Sequence, residues 1–460
     1  MQASTDLNSE FRNSMMRLVV PSVLQMLVGN SFSLLNTLMV GRLGDTAIAV
    51  VAAVGQIGFV LSMILTGVYG IAAFITQFHG KGDKASLQQA FGLMLISSVA
   101  VTLVLVAGVF AFKSSILKAF INDPGAVAYG AHYLTVLLLV YLINSIKDAY
   151  GHALGAIGQI KATLVVGLIA MSVNGALDYA LIYGRLGLPE YGIAGAAWAT
   201  LASSIIGGIM LIAYVYARKV SFHIRFKTLM SLKFSFVKKL YATTLPLVFH
   251  EGLWSVGNML YAVAFGYMGV TALATFQLAR TFNGYFMMGI FGFAYAANVL
   301  IGQKLSQKEP EEAIIYARKF TGLTIIVSIV ASLAIAALSP YIVMLFSHTS
   351  EEVRTAFKHV MLIQSVLMTA YFLNNLWIVG MFRAGGDNVY TLKLIFVTTW
   401  LIALPLVFAG AYFFHWPIER VYFLFALEEV SKACIGYFRY RSNKWANNLT
   451  QSISERERAA

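Results

Sequence analysis

The sequence predicts an all-α polytopic membrane protein, with twelve transmembrane helices in two six-helix lobes related by a pseudo-twofold along the membrane normal. Three observations carry that reading. The 460-residue chain is 59% hydrophobic and only 12% charged, with a mean hydropathy of +0.74, whereas soluble domains carry about 25% charged residues. It has room for about a dozen runs of the roughly 20 residues that a helix needs to cross a bilayer. The second half of the chain repeats the first.

Residues 1–14 are polar and are expected to form a cytoplasmic N-terminus. The first helix, 15–40, contains most of PSVLQMLVGNSFSLLNTLMVGRLG, residues 21–44. It has no charge between Pro21 and Gly41, yet it holds Gln25, Asn30, Ser31, Ser33, Asn36 and Thr37. Polar groups inside a membrane span usually face a bundle interior or a wet cavity, and a proline can bend the helix that carries it. Further helices are predicted at 46–78, 88–112, 127–147, 161–184 and 191–217, completing the N-lobe (15–217). A basic cytoplasmic linker covers 218–239. The C-lobe (240–440) holds helices at 240–267, 271–304, 313–338, 353–377, 389–413 and 417–440. Residues 441–460 read as a charged, flexible cytoplasmic tail.

Loop charge sets the orientation. The segment RKVSFHIRFKTLMSLKFSFVKK after helix six carries seven Lys or Arg and no acid. Lys81, Lys84, Lys161, Lys304, Lys308, Arg318 and Lys319 fall on the same side, and the opposite connections mix signs. Both termini are then cytoplasmic. This distribution explains the net charge of +13 without a nucleic-acid partner. The lone cysteine, Cys434, excludes a disulfide framework and any multi-cysteine metal site, and it reads as a small buried apolar residue. No cleaved signal peptide is expected, because the first apolar segment is full length.

The repeat holds a nearly constant offset. Pro21, Gly41, Gly44, Thr46 and Ala47 match Pro246, Gly266, Gly269, Thr271 and Ala272, each 225 residues on. ITQFHGKGD (75–83) faces IGQKLSQKE (301–309), and ILKAFINDPGAV (116–127) faces IVMLFSHTSEEV (342–353), both at 226. ALGAIGQIKATL (153–164) faces MFRAGGDNVYTL (381–392) at 228. Six helices repeated in the same direction are a recurring transporter design, with the pathway between the lobes.

LLNTLMVGRLG, ITQFHGKGD, RAGGDN at 383–388 and the two-lobe repeat together resemble the multidrug and toxic compound extrusion (MATE) family, over roughly residues 10–440. Asn174 and Asp178, in MSVNGALDYALIYG, resemble the DinF-like branch, whose N-lobe holds a helix-one Asp and a helix-five Asn/Asp pair. The resemblance implies export of cationic or amphipathic compounds in exchange for protons or sodium ions. One position departs from it: the expected helix-one Asp is Asn36, which cannot titrate. Either this member couples without that carboxyl, or the chain is a substituted form that mimics the protonated state.

Depth supports the same cluster. At 1.5 Å per residue, Asn36 lies roughly 7–8 Å and Asp178 about 9 Å below the outer ends of their helices. Tyr133, six residues into helix four, and Thr200, about nine into helix six, fall at similar depth. Asn174 and Asp178, spaced i, i+4, share one helix face. The expected coupling set is therefore Asp178, Asn36, Asn174, Tyr133 and Thr200. Gln25, Asn30, Ser33 and Gln56 would line a substrate cavity, and Pro21 and Gly29 would serve as hinge points. Burial disfavours the bare Asp178 carboxylate. Its protonation would bend helix one, collapse the cavity and expel the substrate as the lobes rock. A sodium ion would need several oxygens, which Asn36, Asn174, Asp178 and Thr200 could supply. The residues do not choose between the two ions.

The plainer readings stay open. Asp178 could snorkel to the outer headgroups, Asn174 and Thr200 could make ordinary interhelical hydrogen bonds, and Tyr133 could belong to an interfacial belt. Glu251 reads as structural, because the family's helix-seven Glu falls where this chain has Trp254. Arg280, near mid-membrane, is expected to pair with Glu428 or Glu429, with Lys432 one turn further on. A lipid-linked oligosaccharide flippase is the second transport reading. An intramembrane enzyme is the third, and it finds no HExxH, GxSxG or Walker A motif to support it. No cofactor is expected beyond H+ or Na+. The expected partners are small-molecule drugs or organic cations and membrane lipids. The expected setting is a monomer in a bacterial-type inner membrane.

Overall fold

The computed structural model describes residues 2–41, 43, 45–118, 123–223, 233–307, 310–344 and 350–450. Within these, the side chains of 2–9, 30–38, 41, 45, 46, 48, 49, 52 and 270 are not described. Among the described residues twelve helices follow one another and there is no strand. They are α1 (Gln2–Gly41); α2 (Asp45–Val68, running through a 3-10 turn at Tyr69–Ile71 into Ala72–Lys81); α3 (Lys84–Lys118); α4 (Pro124–Ala156); α5 (Ile160–Ile182); and α6 (Ile193–Ala217). After them come α7 (Phe234–Tyr267); α8 (Val270–Ser306); α9 (Pro310–Met344); α10 (Glu351–Asn374, continuing as a π-helix over Asn375–Phe382); α11 (Asn388–Ile395, with π-helical stretches at Phe396–Ala403 and Ala409–Phe413); and α12 (Ile418–Arg441).

Each predicted span lies on one of these helices, but most helices run longer at their ends. Hydropathy marks only the part that meets hydrocarbon, while a helix continues until a cap or turn stops it. Asp123 starts α4 by accepting from the backbone of Ala126 at 2.8 Å, with Pro124 in the first turn. Ser350 caps α10 through Val353 N. Gly82 ends α2 in the left-handed region, at φ 77°. Among the described residues, nine helical spans are long and apolar enough to cross a membrane. α1, α7 and α12 are not among them.

The chain forms two compact units, Pro21–Tyr241 and Met1–Val20 with Ala242–Ala460. The first is built on Val50, Val54, Leu134, Ile182, Ile193 and Ala197. There α5 and α6 approach so closely that a Cβ on Gly195 would lie 2.5 Å from the Leu181 carbonyl oxygen. The second is built on Phe265, Phe276, Phe357, Phe372, Val421 and Tyr422.

Several sequence expectations change here. The N-terminal residues, predicted as a separate polar segment, are helical from Gln2. Phe11 packs edge-on against Tyr316 and Phe320 of the second unit, because its apolar ring finds cover there. The basic linker begins as packed chain: Phe222 is buried against Phe91 at 4.7 Å between ring centroids. The tail predicted as flexible is docked through Thr450, with Trp445 fully buried and its indole N–H donating to the Tyr440 carbonyl; residues 451–460 lie outside the described residues. Cys434, expected to be buried, is exposed, because α12 buries the face that carries Tyr422, Ala426, Glu428 and Lys432.

The repeat is visible in backbone detail within each unit. Pro21 lies inside α1 and Pro246 inside α7. Gly158 and Gly386, matched at the 228 offset, both take positive φ, at 80° and 68°.

Candidate functional site

In the Pro21–Tyr241 unit, α4, α5 and α6 bring four of the predicted residues together. Asp178 is 0% exposed and Asn174 1%. Asn174 Nδ2 donates to Thr200 Oγ1 at 3.4 Å, and the Thr200 hydroxyl donates back to Ala196 O at 2.8 Å. Tyr133 is buried, close enough to Asp178 and Tyr141 to interact with both. Among the described residues neither Asp178 carboxylate oxygen has a hydrogen-bond partner, nor has Asn174 Oδ1. A buried carboxyl without donors is costly when ionised and is relieved by a proton or a cation. The cluster therefore leaves three oxygens able to accept, beside a hydroxyl and a phenol. Snorkelling does not describe Asp178, and an interfacial belt does not describe Tyr133, because both are enclosed by protein.

The other predicted positions divide. The Asn36, Asn30 and Ser33 side chains lie outside the described residues. Gln25 is exposed and accepts a 3.5 Å contact from the Thr163 hydroxyl of α5. Gln56 is exposed on α2. Gly29 lies within the continuous helix α1. Pro21 stands where α1 passes from one unit into the other. Sequence reasoning missed Tyr141, which crosses α2 at Gly58: a Cβ there would lie 2.0 Å from the phenol oxygen. The missing side chain at position 58 was the available signal.

The second unit corrects the predicted charge pair. Arg280 does not bridge to Glu428 or Glu429. Its guanidinium lies over the Phe276 ring at 5.7 Å, and its charge reaches Tyr422. Lys432 takes both acids instead, pairing with Glu428 and, at 3.0 Å, with Glu429. The i, i+4 and i, i+3 spacings on α12 place all three on one face, a signal readable in the sequence. Tyr261 and Thr399 also donate to Glu428, the latter at 2.6 Å. Asn374 donates to Glu429 Oε2 at 2.7 Å. Glu251 pairs with Arg383 at 2.6 Å. Asp387 binds Arg439 through two contacts, at 2.6 and 2.9 Å. Burial raises the Asp387 carboxyl above its ordinary value, and Arg439 opposes that shift. The RAGGDN turn is thus an anchoring device, with Arg383, Asp387 and Asn388 tied to α7 and α12.

A family model, MatE, matches residues 21–180 and 246–409, more than half of the chain and both copies of the repeat. The chain belongs to the MATE family. It is 21% identical over 454 residues to the probable multidrug resistance protein NorM of Thermotoga maritima, covering 98% of this chain and 96% of the relative. It is 24% identical over 405 residues to the multidrug resistance protein MdtK of Yersinia pseudotuberculosis, covering 85% and 86%. A crystal structure of a mutant of the Vibrio cholerae MATE transporter VcmN superposes with a TM-score of 0.87 at 19% identity, covering 96% of this chain and 99% of that one. These named relatives are transporters rather than enzymes. In this MATE protein the first matched segment spans Pro21 to the Asp178 cluster, and the second spans Pro246 to α11.

Proposed function

We propose that this MATE protein is a secondary active exporter in a bacterial inner membrane, with both termini cytoplasmic, exchanging cationic or amphipathic compounds for protons or sodium ions. The observation that carries this reading is Asp178, a fully buried carboxyl with unpartnered oxygens beside Asn174, Thr200 and Tyr133. In the proposed cycle it takes up the coupling ion, and α1 responds by bending at Pro21 or Gly29. The proline lacks the N–H that would tie it to the preceding turn, and it lies inside α1. Bending would close a cavity lined by Gln25, Asn30, Ser33 and Gln56, and alternating access would complete export. The three unpartnered oxygens suit a sodium ion as well as a proton.

The test is ethidium efflux from proteoliposomes under an imposed pH gradient and, separately, a sodium gradient. The expected result is gradient-driven efflux that Asp178→Asn abolishes while the variant remains folded. Asn36→Asp is expected to change the pH dependence of efflux. Undiminished efflux by Asp178→Asn would overturn the coupling scheme, and the gradient that drives transport identifies the ion.

A further inference from the structure

The Pro21–Tyr241 unit holds a second polar and aromatic group that the coupling cycle does not use. His152 lies about 28 Å along α4 from Tyr133, so this group is far from the Asp178 cluster. Its base is Tyr69, which belongs to the 3-10 turn that interrupts α2. The Tyr69 ring is 6% exposed and stacks on the His152 imidazole, with centroids 4.3 Å apart and planes 22° apart. The Tyr69 phenol donates to the Ser145 carbonyl at 3.4 Å, which fixes the ring beneath the imidazole. His152 itself stays exposed. The imidazole is therefore backed by a held ring and open on its other side.

Asp148 stands one turn before His152, on the same face of α4. Its carboxylate is 45% exposed and lies close enough to Tyr69 and His152 to interact with both. One turn earlier, the Asn144 side-chain oxygen is buried and has no hydrogen-bond partner among the described residues. The cation beside Asp148 is Lys147, with Nζ 3.5 Å from Asp148 Oδ1 and 28% exposed. The Lys147 stem runs past Gly207 and Gly208 of α6 rather than over the ring stack. A solvent-exposed pair of this kind is weak, so Asp148 can exchange Lys147 for a cation better placed over the rings.

We propose that Tyr69, His152 and Asp148 form a binding site for planar aromatic cations, separate from the coupling cluster. The ring stack takes the π-surface of the ligand and Asp148 takes its charge. The proposal rests on the exporter reading, in whose orientation this end of α4 is cytoplasmic; the site then receives substrate on the side from which it is exported. Binding here also bears on α2, because Tyr69 sits in the 3-10 turn, and such interruptions often mark hinges.

The test is equilibrium binding of ethidium to the purified full-length protein, without any gradient and with Asp178→Asn already in place. The transport step is then absent, so failure of the coupling scheme, read by efflux, stays distinct from failure of this site, read by binding. Asp148→Asn and His152→Ala are each expected to weaken ethidium binding about tenfold. Asp148→Glu and His152→Phe, which keep the charge and the stacking ring, are expected to recover most of it. Photolabelling with ethidium monoazide, mapped by mass spectrometry, is expected on the peptides that carry Tyr69 and His152, and should fall in Asp148→Asn. Unchanged affinity in Asp148→Asn and His152→Ala, or labelling confined to other segments, overturns the proposal. So does a loss that the conservative variants share, which would make the three residues structural.

Discussion

Replacing Gly385 by alanine is expected to undock the C-terminal segment while leaving the membrane helices in place. A Cβ at this position would lie 1.8 Å from the Trp445 carbonyl oxygen, 3.0 Å from its carbonyl carbon and 3.2 Å from Asn447 N. Ordinary contact begins near 3.4 Å, so the Trp445 backbone must retreat by about 1.6 Å, far more than a packed interior absorbs by small adjustments. The retreat breaks the seat of an indole that is 0% exposed. Aromatic side chains bury about 150–250 Å², and at about 25 cal/mol per Å² full release costs about 4–6 kcal/mol. Partial undocking is expected to cost about half of that. Limited trypsin digestion of the purified protein, with fragments identified by mass, reads the result at Lys444 and Arg441. Intrinsic fluorescence, referenced to Trp445→Phe, reads the indole's exposure. Unchanged cleavage together with unchanged Trp445 emission would refute the argument.

Lys432→Met leaves buried Glu428 and half-buried Glu429 without their shared cation and is expected to destabilise the protein by about 3–5 kcal/mol, read as a fall in thermal midpoint in detergent. Adding Glu428→Gln should recover part of that loss, and no recovery would contradict the ion-network reading. Gly195→Ala drives a methyl to 2.5 Å from the Leu181 carbonyl and should cost about 1–3 kcal/mol. Gly58→Ala meets first the movable Tyr141 phenol and should cost less; equal thermal midpoints would contradict this ranking. Asn174→Ala removes a 3.4 Å hydrogen bond and should change stability by about 1 kcal/mol or less while lowering ion-coupled ethidium efflux. Full transport by that variant would remove Asn174 from the site.

Much of the Asp178 cluster was legible because helical periodicity and depth are one-dimensional. Asn174 and Asp178 share a face by their spacing, and counting from helix ends placed Thr200 and Tyr133 at the same level. The second unit's ion network was only partly legible. Arg280 was paired with Glu428 or Glu429 on charge alone, but Lys432 is bound to their face by the pitch of α12, while Arg280 projects from α8 over an aromatic ring. Composition likewise made residues 441–450 read as a flexible tail. Trp445 and Leu449 instead dock against Gly385 and Gly386, contacts between segments some sixty residues apart.

The sequence by itself determined the membrane class, the twelve helices, the repeat and the candidate coupling residues, because each follows from local hydropathy, helical pitch or a constant offset along the chain. Tertiary structure decided which charges meet, which glycines admit a neighbour, and that the Asp178 carboxyl is sealed from solvent with its oxygens unpartnered among the described residues. Those outcomes depend on the distance between side chains of different helices. That distance is set by how the helices pack, and no single helix records it.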